Sequence, residues 1–270
     1  MADVNKKVHQ QRRPGARAQR GDATRRNTPD SPVIYGLHAV AFALRNPDRT
    51  ITSLALTENA EHKLRDALSE RNLTIERVRP KDLDHRLGAD TVHQGAMAHV
   101  DLLPEPQLED LVARTEQSGP IVVLDQVTDP HNVGAVVRCA AVFGAAGLVI
   151  TRRHSPPLWG ALAKVASGAL ELVPIALVQN LARALDTLAE LGVMRIGLDS
   201  EGAGSIEHCD WSRPSAVILG AEGRGLRPST RAACDTLAQI GTRGPITSLN
   251  VSNAAVVTLY EAARLRRSGD

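Results

Sequence analysis

The sequence predicts an α/β protein in two parts, a small α/β unit followed by a larger domain built on a parallel sheet covered on both faces. Three observations carry this reading. From residue 108 onward, short apolar runs alternate with helical patterns, the order that successive βαβ units produce. Those runs are continuous, as at 121–125, rather than alternating with polar residues, which suits strands buried on both sides. Between the two regions, residues 103–107 hold two prolines and read as an extended connector.

Residues 1–31 carry eight Lys or Arg against three Asp, a balance of +5 in a chain whose formal net charge is only +2. With almost no large apolar side chain, this stretch reads as a disordered basic tail. Mobile cations of that kind bind nucleic-acid phosphates by releasing counterions. Order begins at 32–40, and a helix over 39–45 stops near Asn46 and Pro47. Strand patterns at 51–56 and 74–78 bracket a helix at 60–70, and 93–100 closes the unit as a further strand. The small domain thus spans 32–103, with a linker and leading helix at 104–119. In the second domain, 120–270, strands are expected at 121–125, 148–151, 172–176, 194–199, 216–220 and 237–240. Helices are expected at 134–143, 159–170, 181–191 and from 253 to about 267.

Composition narrows the function. Aromatic residues are only 2% of the chain, so stacking of bases on aromatic side chains is not the main mode of binding. Cys139, Cys209 and Cys234 are an odd number without metal-like spacing, which suits reduced thiols in a cytoplasmic protein. No apolar run approaches a membrane span, and no metal-ligand cluster is visible.

Three segments carry chemistry. The first, DPHNVGAVVRCA (129–140), is a polar turn after a buried strand, entering a helix near Asn132. Asn132 fits a helix N-cap, and Arg138, six residues on, lies more than one and a half turns along. The second, LGAEGRGL (219–226), follows an apolar strand. Its spacing is G-x-x-G-x-G rather than the dinucleotide pattern, and Pro228 prevents a long helix directly behind it. Glu222 would repel phosphate there and suits a cationic or hydroxylic group better. The third, ITSLNVSNAAVVTLYE (246–261), enters a helix whose mouth holds Ser248, Asn250, Ser252 and Asn253, with an apolar face of Ala255, Val256 and Leu259. Ser248 to Ser252 can serve as a simple cap, yet polar groups at a helix mouth beside a glycine-rich turn form a binding site.

In this order the three blocks resemble the signature motifs of the SpoU, or TrmH, class of RNA ribose 2′-O-methyltransferases, over about 120–265. IYGLHAV (34–40) and HQG (93–95) resemble the small RNA-binding domain of the longer members, an arrangement that implies for this chain a guanosine of large-subunit ribosomal RNA as substrate. The resemblance implies a SPOUT-type domain with a trefoil knot, acting as a homodimer on S-adenosylmethionine and needing no metal. It places the cofactor against Leu219, Gly220, Ile240, Ser248, Leu249 and Asn250. It gives Arg138 the central catalytic role, with Asn132, Glu222, Ser248 and Asn250 around it. Because a guanidinium stays protonated, Arg138 is expected to bind the adjacent phosphate and orient the hydroxyl, with phosphate or water taking the proton. Cys139, where a hydroxyl residue is common, and the turn 242–245 depart from the family pattern.

Other readings predict other behaviour. A tRNA ribose methyltransferase would lack the separate N-terminal domain, and an antibiotic-resistance rRNA methyltransferase would protect ribosomes from a drug. A non-catalytic RNA-binding assembly factor would bind RNA without methyl transfer. A nicotinamide-dependent oxidoreductase is opposed by the glycine spacing. His38, His93 and His99 are expected to be surface or satisfied core residues, and Trp159 and Trp211 packing anchors. Arg152 to His154, at a strand end, are RNA candidates, whereas Arg264, Arg266 and Arg267 suit the negative end of the last helix.

Overall fold

The structure is a computed structural model that describes residues 32–267. The basic tail lies outside them. The chain begins with β1 (Val33–Tyr35), α1 (Leu37–Arg45), β2 (Ile51–Leu56), α2 (Glu58–Lys63), α3 (Arg65–Ser69), β3 (Ile75–Arg77), α4 (Pro80–Leu87) and β4 (Ala96–Val100). These strands form one sheet in the order β1-β4-β2-β3, antiparallel except for the β2–β3 pair. The helix expected over 60–70 is two helices, broken where Leu64 leaves helical geometry at φ −97° and ψ 6°. The first half is capped by Thr57, whose side chain accepts from the Ala60 N–H. α4 has no counterpart in the sequence reading. Pro80 sits at its start, and the Asp82 carboxylate accepts the Arg79 N–H at 2.9 Å.

The remaining elements are α5 (Leu108–Arg114), β5 (Gly119–Asp125), α6 (Pro130–Phe143), β6 (Ala145–Thr151), α7 (Ala161–Ala166), β7 (Ile175–Val178) and α8 (Leu181–Glu190). After them come β8 (Met194–Leu198), β9 (Gly204–Ser205), β10 (Ser215–Gly220), α9 (Pro228–Ala232), β11 (Thr236–Gln239) and α10 (Val251–Arg267). Seven strands form a second sheet, ordered β7-β6-β5-β10-β8-β11-β9 and parallel throughout. The period of two along β5 shows how both faces are covered. Val122 and Leu124 join the cluster that includes Val133 and Val137 of α6, Leu162 of α7 and Leu259 of α10. Ile121 and Val123 join Leu111 of α5 and Leu185 and Leu188 of α8 on the opposite face.

Two sequence boundaries move for identifiable reasons. The helix expected over 159–170 ends at Ala166, because Ser167 (φ 54°) and Gly168 (φ 96°) turn left-handed before a 3-10 turn at Ala169–Glu171. The next strand therefore starts at Ile175 instead of Leu172, which is exposed, after Pro174. That turn also meets the first sheet's helix. A side chain at Gly168 would lie 2.4 Å from the Phe42 ring. Arg49 donates to both carboxylate oxygens of Glu171 at 2.8–3.1 Å and to the Asp101 carbonyl at 2.6 Å. Both members of this pair are almost fully buried, at 4% and 3% side-chain exposure.

The readings of His93 and Trp211 agree with the packing, whereas Trp159 is only partly buried and joins no buried cluster among the described residues. His93 is buried, accepting the Gly95 N–H at Nδ1 and meeting Asp84 at Nε2. Trp211 is buried, its indole N–H bonded to the Ile206 carbonyl at 2.9 Å. Arg152 pairs with Glu105, which occupies its guanidinium. Arg264 pairs with Glu261, and Arg266 donates to the Thr115 carbonyl. No described helix is long and apolar enough to cross a membrane.

Candidate active site

The three motifs meet at the C-terminal ends of β5, β10 and the segment after β11, where open α/β sheets hold ligands. α6 starts earlier than its sequence suggested. Asp129, not Asn132, is its N-cap, accepting the His131 N–H at 3.0 Å, with Pro130 in the first helical position. Asn132 is thereby released from capping. Its Oδ1 accepts a hydrogen bond from Asn250 Nδ2 at 3.0 Å.

Asn250 is the hinge of the site. Its Oδ1 accepts from the Ser252 N–H at 2.9 Å and from the Ser252 hydroxyl at 2.6 Å, capping α10. Its amide nitrogen donates to Asn132 and, at 3.2 Å, to Glu222 Oε2. Two N–H bonds and two acceptor contacts use the whole amide, so the side chain has one orientation that satisfies all of them. The cap that the sequence allowed is present, and the same side chain also joins Asn132 and Glu222.

The turn that carries Glu222 is tight. Gly225 N–H bonds the Ala221 carbonyl at 2.8 Å, and Gly223 and Gly225 have φ of 77° and 63°. A Cβ at Gly220 would stand 2.1 Å from the Gly225 carbonyl carbon. The far end is fixed by Asp125, a fully buried carboxylate at the end of β5. It accepts the Arg227 N–H at 3.0 Å and the Arg227 Nε at 2.7 Å. Since Asp125 also lies in register with Gly220, one residue anchors both ends of the turn. Sequence reasoning missed this clamp. Its only trace was a carboxylate ending an otherwise apolar strand, and Arg227 is too distant in the chain to be paired with it by pattern.

Beside this network is a cavity of 480 Å³. Leu219, Gly220, Ile240, Ser248 and Leu249 all line it, as does Glu222. Asn250, expected among the cofactor contacts, is outside the lining and touches it through its hydrogen bond to Glu222. Asp199 and Glu201, not singled out from sequence, add carboxylates to the wall, and Asp199 is itself ion-paired to Arg231. Among the described residues, no group of His, Cys, Asp and Glu is arranged to hold a metal ion.

Arg138 is elsewhere. It is exposed on α6, outside the cavity lining and without a hydrogen-bond or ion-pair partner among the described residues. Its neighbourhood on the paired helices α6 and α10 is apolar: Val142, Val256, Val257 and Tyr260 are exposed by 36–69%. Val256 therefore corrects the sequence reading, since only Ala255 and Leu259 of the expected apolar face are buried. Tyr260 packs edge-on against Phe143, with ring centroids 6.2 Å apart. Cys139, half-buried beneath this surface, has its thiol pushed up by burial. Cys234 is pushed up to about 11 by the same cause, so neither thiol is set up as a nucleophile.

Comparison with known proteins gives consistent matches. Residues 119–260 match a family model described as the SpoU rRNA Methylase family, and residues 33–106 one described as RNA 2′-O ribose methyltransferase substrate binding. The 23S rRNA (guanosine-2′-O-)-methyltransferase RlmB of Vibrio parahaemolyticus is 39% identical over 241 residues, covering 86% of this chain and 96% of the relative. The SpoU methyltransferase AviRb from Streptomyces viridochromogenes, solved in complex with AdoMet, superposes with a TM-score of 0.74 at 25% identity, over 88% of this chain and 91% of that one. The TrmH/SpoU tRNA modifying enzyme of A. aeolicus matches only 60% of this chain, though 85% of its own, with a TM-score of 0.51 and 25% identity.

Proposed function

The chain belongs to the SpoU rRNA methylase family, and from that premise we propose that it transfers a methyl group from S-adenosylmethionine to the ribose 2′-hydroxyl of a guanosine in 23S rRNA. The observation that carries the site assignment is the hydrogen-bonded trio Asn132, Asn250 and Glu222 at the edge of the cavity. The tRNA-modifying relative matches 60% of the chain and the 23S rRNA methyltransferase of Vibrio parahaemolyticus 86%, which favours a ribosomal substrate over tRNA. We take residues 32–103 as the RNA-capturing domain, 104–119 as linker and leading helix, and 120–270 as the catalytic domain. The basic tail would add phosphate contacts, and the protein would work in the cytoplasm.

The cavity fits the cofactor. Its volume is within the roughly 300–1,000 Å³ of small-molecule sites. Leu219, Leu226, Ile240 and Leu249 offer apolar wall for a purine, and the carboxylates suit a molecule bearing cationic and hydroxyl groups. When bound, the cofactor supplies a methyl group on a sulfonium, which is its own good leaving group. The chain's residues have the task of orientation. Glu222, with one carboxylate oxygen held by Asn250, presents the other to a substrate hydroxyl. Asn132 keeps Asn250 in place, and Ser248 borders the same space. Arg138 binds the phosphate beside the target ribose and orients the hydroxyl, while phosphate or water takes the proton.

Since Arg138 lies outside the lining of its own chain's cavity, this reading has it act on the site of a second copy. The exposed apolar face around Val142, Val256 and Tyr260 supports a homodimer through α6 and α10. The return of α10 against α6 and β5 supports the family's knotted threading of the C-terminal segment.

Radiolabelled methyl transfer to protein-depleted rRNA from an unmodified strain, with mapping of the labelled nucleotide, tests the assignment. Label on one 2′-O-methylguanosine of 23S rRNA is expected; cofactor binding without label on any RNA would shift the reading to a binding factor. A second expectation concerns the turn. Gly220→Ala forces the Gly225 backbone away from the new Cβ and should weaken cofactor binding at least tenfold by calorimetry, through displacement of the lining. Unchanged affinity would remove the turn from the cofactor site.

A further inference from the structure

Two sequence motifs have no role in the catalytic cluster: IYGLHAV (34–40) and HQG (93–95). In the structure they converge on one side chain from the other sheet, Lys164 of α7. Lys164 Nζ donates to Gln94 Oε1, which also accepts the Leu37 N–H at 3.2 Å. The ammonium lies over Gly36, where a Cβ would be 2.6 Å from Nζ. The backbone is shaped for this meeting. Gly36, Gln94 and Gly95 have φ of 95°, 56° and 81°, and a side chain at Gly95 would collide with Thr57. For Gln94, a residue with a Cβ, that conformation is uncommon, and such outliers persist where surrounding structure holds them.

What this cluster lacks is negative charge. Among the described residues no carboxylate pairs with Lys164. Its polar partner, Gln94, is a neutral amide. Partial burial of the ammonium lowers its pKa, so the charged form is held at some expense. Arg49 and Arg152, by contrast, are paired with Glu171 and Glu105. A half-buried cation without a counter-charge, on the seam between the two sheets, is suited to an arriving anion.

We propose that Lys164, held over the Gly36 backbone by Gln94, forms a site for an RNA backbone phosphodiester. The inference rests on the RNA-methyltransferase reading, in which RNA is the polyanion that meets this seam. α7 packs directly on α6, where Gly134 permits an approach that a Cβ would block at 2.7 Å from the Leu162 carbonyl. A phosphate held at Lys164 would therefore tie the RNA to the small sheet's motifs and to the layer of helices carrying Asn132 and Arg138.

The test uses the full chain, a protein-free 23S rRNA transcript, and the variants Lys164→Gln and Lys164→Arg. Binding is measured as a function of salt, alongside methyl transfer, S-adenosylmethionine affinity and melting temperature. Loss of one phosphate contact should flatten the slope of log K against log salt by about 0.7–0.9 in Lys164→Gln, and Lys164→Arg should restore it. KM for RNA should rise severalfold in Lys164→Gln with cofactor affinity unchanged. An unchanged slope in Lys164→Gln, with a lowered melting temperature or without, would overturn the inference and leave Lys164 as a joint between the two sheets. If the wild-type chain neither binds nor methylates the transcript, the RNA-methyltransferase reading fails and takes this site with it.

Discussion

Arg138→Ala should lower methyl transfer by roughly 10²–10³-fold, the scale associated with removing one preorganised charged or hydrogen-bonding group from a transition state. Cofactor affinity and melting temperature should hardly change, because the guanidinium is exposed, makes no hydrogen bond or ion pair among the described residues and lies outside the cavity lining. Single-turnover kinetics with saturating cofactor would measure the loss directly. Full activity in this variant would end the assigned role. The exposed position adds a sharper expectation. If Arg138 serves the site of a second copy, mixing Arg138→Ala with Asn250→Ala should regenerate activity. Each mixed dimer would contain one intact site, combining the first variant's cavity with the second variant's arginine. Random reassortment would restore about a quarter of the wild-type rate. Absence of recovery, with mixed dimers demonstrated, would require Arg138 to act within its own chain.

The largest stability effect is expected at the seam between the sheets. Glu171→Ala removes the carboxylate that receives three hydrogen bonds from Arg49 and one from Asn46. Arg49 is only 3% exposed, so its guanidinium would remain buried with the Asp101 carbonyl as its remaining acceptor. Stranding one member of a buried ion pair costs about 3–5 kcal/mol, against a total stability of roughly 5–15 kcal/mol for a typical protein. Replacing both residues by leucine should recover much of the loss, since the pair's attraction is largely offset by its own desolvation. Urea unfolding followed by circular dichroism would compare the single and double variants. A Glu171→Ala change within about 0.5 kcal/mol of wild type would show that the seam tolerates an unpaired arginine.

The same contrast between local and distant contacts explains which expectations matched the structure. The strand at 51–56 and the continuous apolar strand at 121–125 were readable because their burial is written in the run itself. The break at Leu64 was not, since leucine is no helix breaker, whereas the stop after Ala166 had a local signal in Gly168, which turns left-handed. α4 escaped because its pattern is mostly charged, with only Leu83 buried.

At the site, the candidate residues could be named from sequence and their meeting could not. Polar side chains at helix mouths and in a glycine-rich turn, together with the family resemblance, singled out Asn132, Glu222, Ser248 and Asn250, while a simple capping role fitted Asn132 and the Ser248 to Ser252 stretch as well. That Asn250 caps its own helix with its oxygen while its nitrogen reaches Asn132, 118 residues away, depends on where β5 and α10 lie in the folded chain. The Asp125–Arg227 clamp and the Lys164–Gln94 contact span 102 and 70 residues, respectively. The sequence by itself determined most of the elements and the parallel character of the large sheet, because periodicity, capping and turn preference act within a few residues. Only the tertiary structure decided which loops meet, that Asp129 caps α6 so that Asn132 is free, and that Arg138 faces outward. Those outcomes depend on strand order and helix packing, which bring together residues whose separation in the chain erases any local signal.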